Sequence, residues 1–308
     1  MQDKYNTNRL NYILYNKYIS CIIKGMRYTI KQFNTEFPND DACLDSVFAN
    51  RYSDVKDCPH CGVIDTKFYR VTGRKCYACM HRGYQLHPLA QTIFHKSSTS
   101  LKDWFYAIYL FSVSKNGVSA KELERHLGVT YKTAHRMAKQ IRSLMDIDND
   151  SLGGDIEVDE TYIGGRRKMK QKFDNKSVVF GMVERNGIAK TVHVKSSGSR
   201  VLLPVIIKGV NPLANIYSDE WRAYKALPKY GHTHTTVNHS KLEYVRGTAH
   251  TNTIEGYWSQ LKRSIDGTYH SVSPKYLQAY LNEFSFRYNL RGVTVYPVLL
   301  EQASKRVL

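Results

Sequence analysis

Ile156-Glu157-Val158-Asp159-Glu160-Thr161-Tyr162-Ile163 alternates apolar and polar side chains along its length. A period of two marks a strand with differently filled faces. Upstream, the apolar positions recur at helical spacing as far as a polar, acidic linker at 146–154 (DIDNDSLGG). Downstream, the strand-like pattern returns at 177–185 and 189–195. A helix is expected at 199–208, a strand at 214–218, a helix at 220–227, a strand at 234–238, and helices at 251–265 and 273–290. The fragment 156–163 therefore opens an α/β domain, and what precedes it is a different, helical and cysteine-bearing region.

The order of three successive strands followed by helix–strand–helix alternation is ribonuclease H-like. The fold class expected is α/β and multidomain. It comprises a helical extension at 1–50, a zinc ribbon at 51–98, a helical, helix-turn-helix region at 99–148 and a ribonuclease H-like α/β/α catalytic domain at 149–308. Residues 27–50 read as one or two short helices and 99–114 as an apolar helix. Residues 1–25 form no clear pattern, and Met26 is a candidate start of the natural protein.

The 308 residues carry a formal net charge of +18 and 42% hydrophobic content. That content suits a globular chain with a sizeable core. The positive excess favours a polyanionic partner, nucleic acid before an anionic membrane. No apolar run approaches the length of a bilayer span and no signal peptide is visible, so a cytoplasmic, nucleoid-associated location is expected.

Three carboxylates stand where a metal-dependent nuclease needs them. Asp159 lies in the first strand, Asp219 follows the apolar run Asn215-Ile216-Tyr217-Ser218, and Glu255 opens the helix from Asn252. Divalent cations need several hard oxygen ligands converging from different elements. Glu157 shares the strand face of Asp159 and is a candidate neighbour of the site, whereas Glu160 should face away. Lys262 falls two turns after Glu255 on nearly the same helix face.

Cys58-Pro59-His60-Cys61 and Cys76-Tyr77-Ala78-Cys79 are two CxxC pairs. Two such pairs complete a closed four-thiolate zinc site, structural rather than catalytic. Redox use is disfavoured, because redox CxxC motifs usually occur singly.

Residues 119–142 read as a helix-turn-helix. Ser119 caps the first helix with Glu122 three residues on, Gly128 makes the turn and Thr130 caps the second. Ala134, Met137, Ala138 and Ile141 form the inward stripe. Tyr131, Lys132, His135, Arg136, Lys139 and Arg142 are left to face DNA. The basic loop containing Arg166 and Arg167 lies beside the first aspartate and is a further candidate DNA contact.

Several longer motifs recur together: CPHCG at 58–62, KCYACMHRGYQLHPLAQTIFHKS at 75–97, IEVDETYIGG at 156–165, YSDEWRAY at 217–224, HTNTIEGYWSQLKR at 250–263 and YLNEFSFRYNLR at 280–291. With these the chain resembles, over roughly 27–295, bacterial insertion-sequence transposases of the DDE class that carry an N-terminal zinc ribbon. The resemblance implies Asp159, Asp219 and Glu255 as the metal-binding catalytic triad for Mg²⁺ or Mn²⁺. The third position varies in that family, some members having Asn, and Asn252 is a competing neighbour here. Two ions would be held, Asp159 bridging, with Asp219 on one and Glu255 on the other. Element ends and target duplex DNA are the implied partners, met by Lys132, Arg136, Lys139, Arg166, Arg167, Lys262 and Arg263. A homo-oligomer on DNA is implied as well.

The remaining readings are plainer. Trp258 is read as helix packing, Tyr288, Asn289 and Arg291 as packing on the catalytic helix, and His250 as a phosphate contact or a loop cap. A tyrosine nucleophile among the 23 tyrosines is disfavoured, because it would not need an acidic triad. The alternatives to a transposase are a DNA-binding regulator that has lost catalysis, and a nuclease that cuts without joining.

Overall fold

The computed structural model describes residues 28–146, 151–164, 176–237 and 250–305. Two compact units emerge. One contains residues 28–144 together with 292–305, and the other contains residues 145–291.

The first unit begins with helices α1 (Ile30–Glu36) and α2 (Asp40–Tyr52). Thr29 caps α1 in a reciprocal capping box with Gln32, and Asn39 caps α2 through Ala42. A three-stranded antiparallel sheet follows, ordered β1 (Phe68–Arg70), β2 (Tyr77–Cys79), β3 (Gln85–Leu86). Next come α3 (Leu101–Val113), α4 (Ala120–Leu127) and α5 (Tyr131–Ser143). Trp104, Phe105, Ile108 and Phe111 of α3 are fully buried. Phe37 packs edge-on to Phe105, and Phe33 lies against Tyr106 and Tyr109.

The α4–α5 pair forms as its caps predict. Ser119 accepts from the Glu122 amide and Thr130 from the Thr133 amide. Gly128 takes a left-handed conformation (φ 63°) at the end of α4, a geometry open to glycine at little cost. The inward stripe of Ala134, Met137, Ala138 and Ile141 is buried.

One element was not foreseen: helix α9 (Val295–Ser304) packs against α2 and α3. Its Tyr296 stacks on Tyr28 and is buried beside Phe33 and Phe37. The last helix thus belongs to the same unit as the ribbon, and the compact unit around the larger sheet ends at Arg291.

That second unit is built on β4 (Asp155–Ile163), β5 (Ser177–Glu184), β6 (Ala189–Val194), β7 (Asn215–Ser218) and β8 (Thr233–Thr236). The order across the sheet is β6-β5-β4-β7-β8. The β4–β5–β6 meander is antiparallel, while β4, β7 and β8 run parallel. Helix α6 (Ser199–Gly209) covers one face, where Ile156, Val158, Phe180 and Ile216 meet Leu202 and Ile206. Helices α7 (Asn252–Ser264) and α8 (Leu277–Asn289) cover the other, where Val179 and Val183 meet Ile254, Trp258, Leu261 and Leu281.

The exposed edge of β6 is sealed by α8. Gln278 bonds the His193 amide and the Thr191 carbonyl, and Asn289 bonds both backbone groups of Ala189. Such side-chain pairing removes a free sheet edge. No helix among the described residues is long and apolar enough to cross a membrane.

Between β7 and β8 the expected helix at 220–227 is replaced by two 3₁₀ turns, Arg222–Tyr224 and Leu227–Tyr230. Trp221 stays extended (φ −62°, ψ 132°), held by its amide to Asp219 Oδ1 and by its indole to the Ser197 carbonyl, which removes the first turn of the expected helix.

Candidate metal and catalytic sites

Asp159 sits in the middle of β4, on the face covered by α7. Burial first, and then the negative charges of Asp219 and Glu255, push its carboxyl up to about 6. The hydrogen bond donated by Trp258 Nε1 to its Oδ2 (2.9 Å) opposes that shift. Asp219 directly follows β7, the parallel neighbour of β4. Buried Ser218 beneath it bonds His234 Nε2 at 2.9 Å, which fixes that strand end. The Trp221 amide donates to Asp219 Oδ1 at 3.0 Å. Glu255 lies in the first turn of α7, where the Thr251 hydroxyl donates to it at 3.1 Å.

The three carboxylates thus share one electrostatic environment from three elements. They stand further apart than the thiolates of the ribbon, which form the one close group of potential ligands found among the described residues. Carboxylates from three elements, Asp159 largely buried, Asp219 half-buried and Glu255 exposed, are a donor set that fits a divalent cation.

Glu157, weighed above as a neighbour of the site, is completely buried. Its Oε2 accepts from the amides of Thr253 and Ile254, at 2.8 and 2.9 Å. Its Oε1 accepts from Arg185 Nε and the Thr253 hydroxyl, at 2.8 and 2.9 Å. The His250 Nδ1 lies 3.1 Å away, and Arg185 also bonds the His250 carbonyl at 2.8 Å. Thr251 supplies no side-chain cap to α7. A carboxylate from the adjacent strand therefore satisfies the first amides of the helix that carries Glu255.

Gly181 is the cross-strand partner of Asp159. A Cβ there would lie 2.5 Å from two atoms of the Trp258 indole. The missing side chain makes room for the ring that bonds Asp159, the usual meaning of a glycine inside a strand. Trp258 was expected to pack and does so at 4% exposure. Its bond to Asp159 was not expected; an indole donor one turn after Glu255 was the available signal.

Glu160 faces the α6 side, as alternation requires, and accepts from the Tyr224 hydroxyl. Burial, with Asp159 and Asp219 adding to it, raises Glu160 to about 7 against that hydrogen bond. Asn252 is exposed, as are Lys262 and Arg263 on α7. Arg263 bonds the Ser259 carbonyl at 3.2 Å. Tyr288 packs edge-on to Tyr257 of α7.

In the ribbon, the sulfurs of Cys58, Cys61 and Cys79 all lie within 4.8 Å of one another. Backbone donation from Arg82 and the hydroxyl of Thr66 pull Cys79 down to about 6, favouring the thiolate that binds metal. This donor set fits zinc. Cys76 is not in the cluster, and its Sγ instead lies 3.5 Å from Gln85 Oε1.

Two matching turns explain the count. Cys58 N–H bonds Val63 O and Gly62 N–H bonds Cys58 O; Cys79 N–H bonds Tyr84 O and Gly83 N–H bonds Cys79 O. Arg82 stands in the second turn where Cys61 stands in the first, so the two turns bring three thiols together.

On α5, Lys132, Arg136 and Lys139 are exposed. Arg136 bonds Ser97 Oγ at 3.3 Å. Arg142 corrects the expectation of an outward face. It is 3% exposed, donates to the Val118 carbonyl at 2.9 Å and lies over the Phe111 ring. Its position falls on the inner stripe one turn after Ala138, and the guanidinium is satisfied inside. Arg166 and Arg167 lie outside the described residues.

Residues 151–289 match the ISXO2-like transposase domain, and residues 38–85 match the transposase zinc-ribbon domain. Two regions of the chain thus resemble two domains of transposases. An uncharacterized protein in transposable element ISH50 of Halobacterium salinarum is 26% identical over 252 residues, 75% of this chain and 84% of that protein. An uncharacterized transposase-like protein of Haemophilus influenzae is 28% identical over 115 residues, 37% of this chain and 92% of that protein. The transposase-domain match encloses Asp159, Asp219 and Glu255, and the ribbon match encloses all four CxxC cysteines.

Proposed function

We propose that the chain is a DNA transposase that binds the ends of its mobile element, cuts DNA there and joins it to a target. The observation that carries this reading is the convergence of Asp159, Asp219 and Glu255 from β4, the end of β7 and the start of α7. The sheet order, with β4 at the centre and β7 parallel beside it, supports a ribonuclease H-like catalytic unit.

When bound, two divalent cations supply an activated water or 3′ hydroxyl and stabilise the leaving 3′ oxygen. Asp159, Asp219 and Glu255 would hold the cations. Trp258 orients the Asp159 carboxylate, and Glu157 fixes the helix on which Glu255 rides. Each step forms one P–O bond, to the oxygen of water or of a 3′ hydroxyl, as another P–O bond breaks and its oxygen leaves as a 3′ hydroxyl, so no nucleotide cofactor is required.

Recognition of DNA falls to the ribbon and to α4–α5 acting as a helix-turn-helix. Lys132, Arg136 and Lys139 present an exposed basic face there. Lys262, Arg263, Arg166 and Arg167 hold backbone phosphates near the cut. Zinc in the ribbon is structural, held by Cys58, Cys61 and Cys79, with Cys76 the remaining thiolate. The protein works as a homo-oligomer that holds two ends.

The test is a cleavage and strand-transfer assay on labelled DNA from the flanks of the coding region, with Mg²⁺ or Mn²⁺. Wild type should nick at a defined position and yield joined product, whereas Asp159→Asn should bind equally and do neither. Binding with no metal-dependent product from wild type would favour the non-catalytic regulator. Nicking without joining would favour a nuclease.

A further inference from the structure

The turn that leads from the ribbon to α3 carries a lysine where the backbone suits glycine. Lys96 has a φ of 53°, a left-handed conformation that a non-glycine residue adopts at a cost. The turn is pinned on both sides of that residue. The His95 amide bonds the Thr92 carbonyl at 3.1 Å, and the Ser97 amide bonds the Phe94 carbonyl at 3.2 Å. Phe94 is buried and packs edge-on to Trp104. The side chains of His95 and Lys96 are exposed.

Ser97 joins this turn to α5. Its Oγ accepts from Trp104 Nε1 at 2.9 Å, from the Thr99 amide at 3.2 Å and from Arg136 Nη2 at 3.3 Å. Three donors meet a hydroxyl oxygen with two lone pairs, and the Arg136 bond is the longest of them. The guanidinium is steadied further over the Trp104 ring, 5.9 Å from its centroid. A guanidinium carries five N–H donors, so the bond to Ser97 orients it without using it up. Lys132, Arg136 and Lys139 follow at four- and three-residue spacing along the exposed face of α5. The tether to Ser97 brings the Lys96 turn up against that face.

We propose that the turn at 95–97 and Arg136 form a cradle for one phosphate of a DNA backbone. The Lys96 ammonium and the Arg136 guanidinium are its cationic donors, and Ser97 positions Arg136. A phosphodiester oxygen takes charge-assisted N–H donors of this kind, and such contacts fix the register of a helix on the duplex. An acidic protein segment would meet the same charges, but the net charge of +18 and the row of cations on α5 favour DNA. The cradle rests on the DNA-binding part of the transposase reading above and adds to it a contact outside the α4–α5 pair.

The experiment measures binding of the full zinc-loaded chain to a short random-sequence duplex across a range of salt. Random sequence suffices, because a phosphate contact carries no sequence information. Lys96→Gly and Arg136→Gln should each flatten the plot of log affinity against log salt by about 0.9. At about 0.1 M salt that change corresponds to about 8-fold weaker binding. Lys96→Gly should melt no lower than wild type, because glycine takes the left-handed conformation freely, so its loss of binding is separable from unfolding. In both variants the preference for DNA from the flanks of the coding region over random duplex should stay as in wild type. Ser97→Ala should weaken binding about 3-fold alone and add nothing to Arg136→Gln, as expected of residues that act through one contact.

The cradle is overturned if Lys96→Gly keeps the wild-type slope and affinity. It is also overturned if Arg136→Gln loses sequence preference with its slope intact, which would make Arg136 a base contact. Independent, additive losses from Ser97→Ala and Arg136→Gln would remove Ser97 as the positioning residue. A wild type that binds DNA and never cuts it overturns the transposase reading alone, and the same binding data still decide the cradle.

Discussion

At the residue scale, the account turns on how buried carboxylates are held. Asp159 is raised to about 6 by burial and by Asp219 and Glu255, above an unfolded value of about 3.9. A raised carboxyl helps the folded state at low pH, and that help is lost as pH rises through about 6. Zinc-loaded protein free of Mg²⁺ should therefore be less stable at pH 8 than near pH 5.5 through this group. Asp159→Asn should be more stable than wild type at pH 8, by about 1–2 kcal/mol. Added Mn²⁺ should raise the melting temperature of wild type and leave the variant unmoved; an equal rise in both would contradict the ligand role. Glu157 acts differently, since it holds a helix end. Glu157→Ala strands Arg185 and the α7 amides and should cost about 3–5 kcal/mol in urea unfolding. Of these features, the three carboxylates could be singled out in the sequence because their motifs are local. The cap was only half legible, since alternation puts Glu157 on the right face but cannot show that a helix 96 residues away ends on it. Arg142 was misread because helical periodicity places it on the border of the inner stripe, and a buried carbonyl decided the matter.

At the element scale, strands and caps were read well where a period or a capping residue is written locally, as at β4 and at Ser119 and Thr130. Failures came where tertiary partners decide. Trp221, bonded to the Ser197 carbonyl, stayed extended where the 220–227 helix was expected, and α9 found its place only against α2 and α3. The contact between β5 and α7 belongs to the same class. Gly181→Ala would push a Cβ into the Trp258 indole and should cost about 1–3 kcal/mol, with cleavage falling as the bond to Asp159 is disturbed. Gly181→Ala combined with Trp258→Leu should regain stability without regaining cleavage, measured by urea unfolding and nicking side by side. Recovery of both would detach Trp258 from the chemistry. The ribbon, with strands of two or three residues, lacks the sheet needed to stand alone. Cys79→Ser should lower bound zinc, measured by atomic absorption, and loosen the ribbon. Zinc affinity of the native protein should fall as pH drops, because protons compete with the metal for the thiolates, at higher pH for Cys61 (raised) than for Cys79 (lowered to about 6). Unchanged zinc in Cys79→Ser would remove the three-thiolate cluster as the metal site.

At the scale of the whole molecule, a formal charge of +18 makes salt the natural probe of DNA binding. The logarithm of affinity should fall linearly with the logarithm of salt concentration, at a slope of about −0.9 for each phosphate contact. Replacing Lys132, Arg136 and Lys139 together by Ala should flatten that slope by about 2–3. A slope that does not change would move the DNA contact away from α5. Composition pointed to a polyanionic partner before any element was placed. The division of labour between the two units was less so, because the last helix returns to the unit that the ribbon begins. The central claim is that Asp159, Asp219 and Glu255 form one divalent-cation site, and Mn²⁺ anomalous diffraction from crystals of the zinc-loaded full chain tests it most directly. The account predicts two manganese peaks, both within ligand distance of Asp159, one also touching Asp219 and the other Glu255. Zinc density in the ribbon with no manganese at Asp159 would contradict it.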